Sequence, residues 1–456
     1  MTYVQAFGRM ILLFTFCTLV YSSIYAQSGF PDREERIYTL STLWKEVQYN
    51  FAFPENWKET NLDSLYIAYL PKVESAKDNY EYYRILSSFM AHCNEAHTRI
   101  IADKRPDDMP ALITTSVGSR ILVKNVAENV SAQLPINSEI LKVNDIPVIE
   151  YLKDSIYPYI GAATAHWRFD KSVTEMWYGR PLSEVKLTAR TPKGKIKEIV
   201  MCRNFYTNGA KETMADTATV APVEIKILKG NLGYIHLSTC VGEKVKEIHA
   251  VFYERLPELL KCKGLIIDVR GNRGGSDEAW EPIVFHLMSD KEFELKGQWL
   301  TRKHIAAYRM YGERSSNSSM REYYEGTAMQ VVSYPPYKNE TLDSLRLNQP
   351  VVVLSGQCVA SAAEDFLLVM KDCKKALVVG EPSVGCVGEP MFIDLPGGYT
   401  VMLSVKKYVN EDGTQPNDTG ILPDIAVARD YNAYLKGVDN QLERAKEELQ
   451  KLIGKD

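Results

Sequence analysis

Three short stretches of the sequence combine residue types that acyl transfer requires. Ser361 lies in "CVASAAED", between small residues and at the head of an apolar run. A helix starting there aims its first amides toward the serine, and the flanking alanines leave Oγ open to a substrate. The same residues also fit an ordinary helix cap, with Glu364 three residues on completing a capping box. The second stretch, "IIDVRGNRGGS", ends an apolar run in Gly274 and Gly275. Backbone N–H groups there are not hidden by side chains and can hold an oxyanion, although a tight turn without a role would look the same. The third, "NEAHTRI", places His97 at a polar break between elements. A serine nucleophile needs a base with a pKa near neutrality, which histidine has, while a lone histidine is more often structural. Of the seven histidines, His236, His249 and His286 fall within strand or helix patterns, and His92, His166 and His304 stand beside His97 as alternatives.

Each of these stretches sits where the elements around it predict an exposed junction. From about Ala221 to Ala428, strand patterns such as "GNLGYIHLS", "KGLIIDVRGN", "QPVVVLSG" and "KALVVGEP" alternate with amphipathic segments such as "EKVKEIHAVFYERLPELLK" and "AAEDFLLVMKDC". That alternation predicts a mostly parallel sheet, with ligands at the C-terminal ends of its strands. Upstream, "REERIYTLSTLWKEVQYNF", "NLDSLYIAYLPKV" and "YEYYRILSSFMAHC" carry helical spacing up to "CNEAHTRI". Between the two regions, "SRILVKNV", "SEILKVNDIPVIEYL" and "EVKLTARTPKGKIKEIVM" read as short strands and hairpins. The order strand, tight turn, strand, helix is similar to a PDZ-type module, whose strand–helix groove takes up an extended peptide. The segment "YPYIGAATAHWRFDKSVTEMWYGRP" is longer than such a module needs, and "NQLERAKEELQKLI" closes the chain as an amphipathic helix.

The chain has 456 residues, with 45% hydrophobic and 25% charged content, as in globular proteins of two or three domains. A net charge of −4 without a basic run excludes nucleic acid as a partner. Arg9, the short apolar run "MILLFTFCTLVY" and Ala26 before a cut form the pattern of a secretory signal, too short to span a bilayer. Export to the periplasm or cell envelope of a bacterium is the expectation, with no integral membrane segment after cleavage. Of the eight cysteines, removal of the signal takes Cys17 and leaves seven, an odd number with no metal-ligand spacing; they read as small buried hydrophobes.

The succession of a helical region, a PDZ-like module, "DVRGNRGGS", "VASAAEDF", "VVGEPSVG" and "TGILPDIAV" resembles the C-terminal-processing (tail-specific) serine peptidases and their tricorn-core relatives. The resemblance covers nearly all of the mature chain. It implies a multidomain α/β (α+β) protein: a signal peptide over 1–26, a helical bundle over 27–108 and a PDZ-like module over 109–204. A ClpP/crotonase-like α/β catalytic domain then spans 221–430, followed by a C-terminal helix over 431–456. It implies Ser361 as the nucleophile and Gly274 (or Gly275) with Ala362 as oxyanion donors. Gly420 to Ile425 would close the domain. The substrate would be a peptide or an unfolded protein end, with no metal or organic cofactor.

The sequence departs from the processing peptidases at their general base. They carry a lysine just after a glycine, twenty-five residues beyond the serine, and here that position is Cys386. A free thiol is no substitute for that amine. The tricorn-core branch instead resembles a Ser/His arrangement with the histidine in an "HT" motif at the end of the helical region, which "NEAHT" matches, so His97 becomes the expected base. That branch orients its histidine with a glutamate before the "GI-PD" segment, acting through a serine that precedes the histidine. Here Ala96 replaces the serine, and Asn417 and Asp418 stand where the glutamate would be. Asp418, then Glu364, then Glu95 are the carboxylates expected to orient His97, with Glu364 also placed to support the serine. Two alternatives are a catalytically inactive peptide-binding envelope protein that keeps the fold, and a thiol nucleophile at Cys358 or Cys386.

Overall fold

A computed structural model describes residues 29–57, 60–207, 220–302, 322, 327–332, 339 and 341–454. The signal pattern and His304 lie outside the described residues.

Three helices open the described chain: Arg33–Asn50, Leu62–Ser75 and Asn79–Ala91. Each has a polar cap, Asp32, Asn61 or Asp78, accepting a backbone N–H of its first turn. Their apolar faces, with Leu40, Leu43, Leu86 and Phe89 almost fully buried, form one core with Leu395, Tyr399, Val401 and Leu403 from the far end of the sequence. The helical region therefore does not close on itself at residue 108. The next strand, Arg99–Ala102, pairs antiparallel with Tyr399–Ser404, which pairs in turn with Pro390–Leu395. The sequence patterns did not disclose this hairpin, because its alternation is interrupted at Gly397 and Gly398.

The middle of the chain forms an antiparallel sheet in the order Leu112–Val117, Arg120–Val126, Glu139–Val143, Glu184–Arg190 and Ile196–Cys202. The long segment between the third and fourth of these strands contains the helix Ala165–Glu175. It packs on the edge strand Leu112–Val117, where Thr114 Oγ1 donates to the Val173 carbonyl at 2.6 Å and Ser116 Oγ donates to Asp170. Strand and helix touch at both positions.

The last region is built on a six-stranded sheet in the order Ile425–Ala426, Leu377–Gly380, Val351–Ser355, Gly264–Asp268, Leu232–Leu237 and Val223–Leu228. All neighbours are parallel except the final antiparallel pair. The central strands Gly264–Asp268 and Val351–Ser355 are buried at every residue, because helices cover both faces. Val245–Leu259 and Ala362–Asp372 supply the core on one face. The terminal helix Asn440–Ile453 buries Ala445 and Leu449 on the other, so it is a layer of the sheet domain. A smaller sheet joins Gln298–Arg302 to Met329–Val331 and Lys406–Val409.

Candidate active site

The two central parallel strands deliver their C-terminal loops side by side, and those loops carry Ser361 and the glycine pair. The chain leaves Val351–Ser355, turns through Gly356–Ala360 and enters the helix Ala362–Asp372, with Ser361 at the junction. Ser361 has φ 55° and ψ −129°, a left-handed backbone that a non-glycine residue adopts at a cost of about 1–3 kcal/mol. Surrounding hydrogen bonds hold it there. Its N–H donates to Glu364 Oε2 at 3.1 Å, and its carbonyl accepts from Glu364 and Asp365 N–H at 2.6 and 3.0 Å. A serine on a sharp strand-to-helix turn is a recurring way to expose a nucleophile.

Glu364 does more than cap the helix. Fully buried, it accepts hydrogen bonds from Ser361 N–H, Ser383 Oγ (2.6 Å), Gly385 N–H (2.8 Å) and Cys386 N–H (2.9 Å). Burial pushes its carboxyl upward, and these donors pull the other way. Glu364 thus ties the serine turn to the 383–386 loop. The Gly420 to Ile425 segment seats on that loop through Ile421 N–H donating to Ser383 Oγ at 2.6 Å.

The oxyanion donors divide differently from the sequence expectation. Gly274 N–H is committed to Asn272 Oδ1 at 3.0 Å, so it is not a free donor. Its part is steric: a Cβ there would stand 2.6 Å from Ser361 Cβ and 2.7 Å from the Ala360 carbonyl. Gly275, at φ 142°, is exposed, and its N–H has no acceptor among the described residues. Ala362 N–H, at the first position of the helix, likewise lacks an intrahelical acceptor. Gly275 and Ala362 are therefore the two amides left for a developing negative charge.

His97 arrives from the other end of the chain, just ahead of the Arg99–Ala102 strand that pairs with Tyr399–Ser404. It is buried, and Nδ1 has no hydrogen-bond partner among the described residues. The carboxylate beside it is Glu95, whose Oε1 lies 3.9 Å from Nδ1 and accepts the His97 backbone N–H at 3.1 Å. Glu95 is held by Thr98 Oγ1 (2.7 Å) and Ser404 Oγ (2.6 Å), both donating to Oε2. Burial pushes the His97 pKa below its ordinary 6.5, Glu95 works against that, and Arg99 adds to it. The expected orienting group, Asp418, is exposed on the short helix Pro416–Thr419, while its neighbour Asn417 is buried with both amide atoms unpartnered among the described residues. Consecutive helical residues point about 100° apart, so burying Asn417 turns Asp418 outward. The carboxylate found beside His97 is thus Glu95, while Asp418 faces solvent.

Cys386 is the common neighbour of both parts. Its thiol lies beside Ser361 N–H and Glu364 and within electrostatic range of Glu95, and Ala96 packs against the same apolar cluster as Ala360, Val384 and Cys386. Burial, then the charges of Glu364 and Glu95, push this thiol well above its ordinary value, so it stays protonated and is no base. Cys358 is pushed up to about 12 by burial and Asp170. Neither cysteine has the thiolate character of a nucleophile. Of the alternative histidines, His92 caps a helix beside Tyr69, and His166 Nε2 is bonded to the Ser383 carbonyl at 2.6 Å. Nothing in the local pattern announced Glu95 as the carboxylate next to His97 beyond its place two residues upstream.

Residues 231–427 match the family described as Peptidase family S41. Across 427 residues the chain is 23% identical to the carboxyl-terminal-processing protease of Picosynechococcus sp., covering 91% of this chain and 88% of that protein. It is 26% identical over 264 residues to the carboxy-terminal processing protease CtpB of Bacillus subtilis, covering 56% of this chain and 48% of that one. Among solved structures, mature CPAF complexed with lactacystin matches with a TM-score of 0.71 at 15% identity, over 93% of this chain and 99% of that chain. At that identity the likeness is one of fold.

Proposed function

We propose that this chain, a serine-type peptide hydrolase whose residues 231–427 match peptidase family S41, cleaves peptides or unfolded C-terminal regions through an acyl-enzyme on Ser361, with His97 as general base. The observation that carries this reading is the setting of Ser361, held in a strained turn at a helix start with the uncommitted Ala362 N–H next in the chain. Ser361 Oγ attacks the scissile carbonyl and gives its proton to the neutral imidazole of His97. Gly275 and Ala362 N–H hold the oxyanion of the tetrahedral intermediate. His97 then protonates the leaving amine, and water returns the serine by the same steps in reverse. Glu95 steadies the imidazolium, and Glu364 keeps the serine turn in register with the 383–386 loop. Asp418 has no part in this scheme.

Export to the bacterial envelope is part of the proposal and rests on the basic start, apolar run and Ala26 of the first residues. Among the described residues no helix is long and apolar enough to cross a membrane. A second reading, a peptide-binding protein without catalysis, is favoured by Cys386 in place of the lysine and by the unpartnered His97 Nδ1. A fluorophosphonate probe separates the two. Labelling of the wild type that is lost in Ser361→Ala and in His97→Ala supports the peptidase; a folded wild type that takes up no label establishes the second reading.

A further inference from the structure

We propose that Asp170, on the helix Ala165–Glu175 outside the catalytic sheet, is a positioning residue for Ser361 and acts through Cys358 on the loop that carries the nucleophile. This rests on the reading of Ser361 as the nucleophile. Asp170 is 9% exposed, and its two carboxylate oxygens face in different directions. Oδ2 accepts from Cys358 Sγ at 2.8 Å, while Oδ1 accepts from Ser116 Oγ on the edge strand Leu112–Val117. Ser116 is fully buried and is also met by Arg429 Nη2 at 3.2 Å. The carboxylate is thus anchored to its own sheet on one side and to the serine loop on the other.

The loop it reaches is stiff. Val359 N–H donates to the Gly356 carbonyl at 3.0 Å and Ala360 N–H to the Asn272 carbonyl at 3.1 Å, with Ser361 next in the chain. A displacement of Cys358 therefore passes to Ser361 and, through Asn272, to the loop of Gly274 and Gly275. Ala360, Val384 and Cys386 lie in the hydrophobic core of residues 109–201, not in that of the parallel sheet. The start of the same helix holds the second loop around Glu364: Thr164 Oγ1 donates to the Val384 carbonyl at 3.0 Å, and His166 Nε2 bonds the Ser383 carbonyl at 2.6 Å. One helix from outside the catalytic sheet grips both loops that frame the serine. The high thiol pKa is consistent with this: Cys358 keeps its proton and donates it to a carboxylate.

The test uses the full-length protein and five forms: wild type, Asp170→Ala, Cys358→Ala, Cys358→Ser and the Asp170→Ala/Cys358→Ala double variant. Fluorophosphonate labelling of Ser361 and steady-state cleavage of a fluorogenic peptide are measured beside the thermal midpoint. A positioning role predicts kcat and labelling rate lowered about tenfold in Asp170→Ala and Cys358→Ala, with KM within about twofold of wild type. Cys358→Ser keeps a donor and recovers most of kcat, and the Asp170→Ala/Cys358→Ala double variant is no slower than either single one, since both break one link. Wild-type kcat in Asp170→Ala overturns the inference. Should that variant fail to fold, equal wild-type kcat in Cys358→Ala and Cys358→Ser overturns it instead. A wild type that takes no label fails the nucleophile reading itself, a result distinct from an active wild type with indifferent variants.

Discussion

At the scale of single residues, the proposed chemistry depends on His97 being neutral. Burial is the largest influence on its pKa and disfavours the imidazolium, so the group titrates below its ordinary 6.5 despite Glu95. The acid limb of kcat/KM is therefore expected below pH 6.5. A pH–rate profile whose acid limb lies above 7 would remove His97 as the base. The same shift has a consequence for stability. The unfolded chain binds the proton first as pH falls, so the contribution of neutral His97 is fully present above 6.5 and is lost from there down to the folded value. Urea unfolding at pH 7 and pH 5.5 should show that His97→Gln reduces the loss of stability on acidification; an unchanged loss counts against a buried neutral imidazole.

At the scale of elements, two loops at the ends of adjacent parallel strands make the site, and glycine is required where they meet. Gly275 is at φ 142°, and a Cβ there would lie 2.0 Å from the Cys240 carbonyl oxygen, a contact with backbone that cannot swing away. Gly275→Ala must therefore move the loop and with it a candidate oxyanion amide. The expected loss is about 10²–10³-fold in kcat, the usual effect of removing one such donor. Pre-steady-state acylation with a chromogenic ester measures it, and an alanine variant acylating within threefold of wild type would exclude Gly275 as a donor. This much was legible in the sequence: "IIDVRGNRGGS" and "CVASAAED" are local patterns of apolar strand, glycine and small residues. The division between Gly274 and Gly275 was not, since it follows from Asn272 Oδ1 occupying one of the two N–H groups.

At the scale of the whole molecule, the strand that follows His97 is placed by pairing with one far along the sequence, Arg99–Ala102 with Tyr399–Ser404. Tyr399 is 3% exposed, sits opposite Ala102 in the strand pair and packs edge-on against Tyr82 with ring centroids 5.3 Å apart. Tyr399→Ala should cost about 3–5 kcal/mol, from the lost ring and the cavity it leaves between the helices and the hairpin. Chemical denaturation measures this, and a loss under about 1 kcal/mol would mean that the helical region stands without the hairpin. The helices, the alternating strands, Ser361, the glycine pair and the loss of the lysine at Cys386 were determined by the sequence itself, since periodicity, caps and turn residues act over a few neighbours. Only the tertiary structure decided that Glu95 faces His97, that Asp418 points to solvent, that Leu395–Leu403 completes the helical core, and that Asp170 holds the serine loop. Those relations join residues as much as 320 positions apart, as between Tyr399 and Asn79, and no local pattern encodes which distant surfaces meet when the apolar faces are buried together.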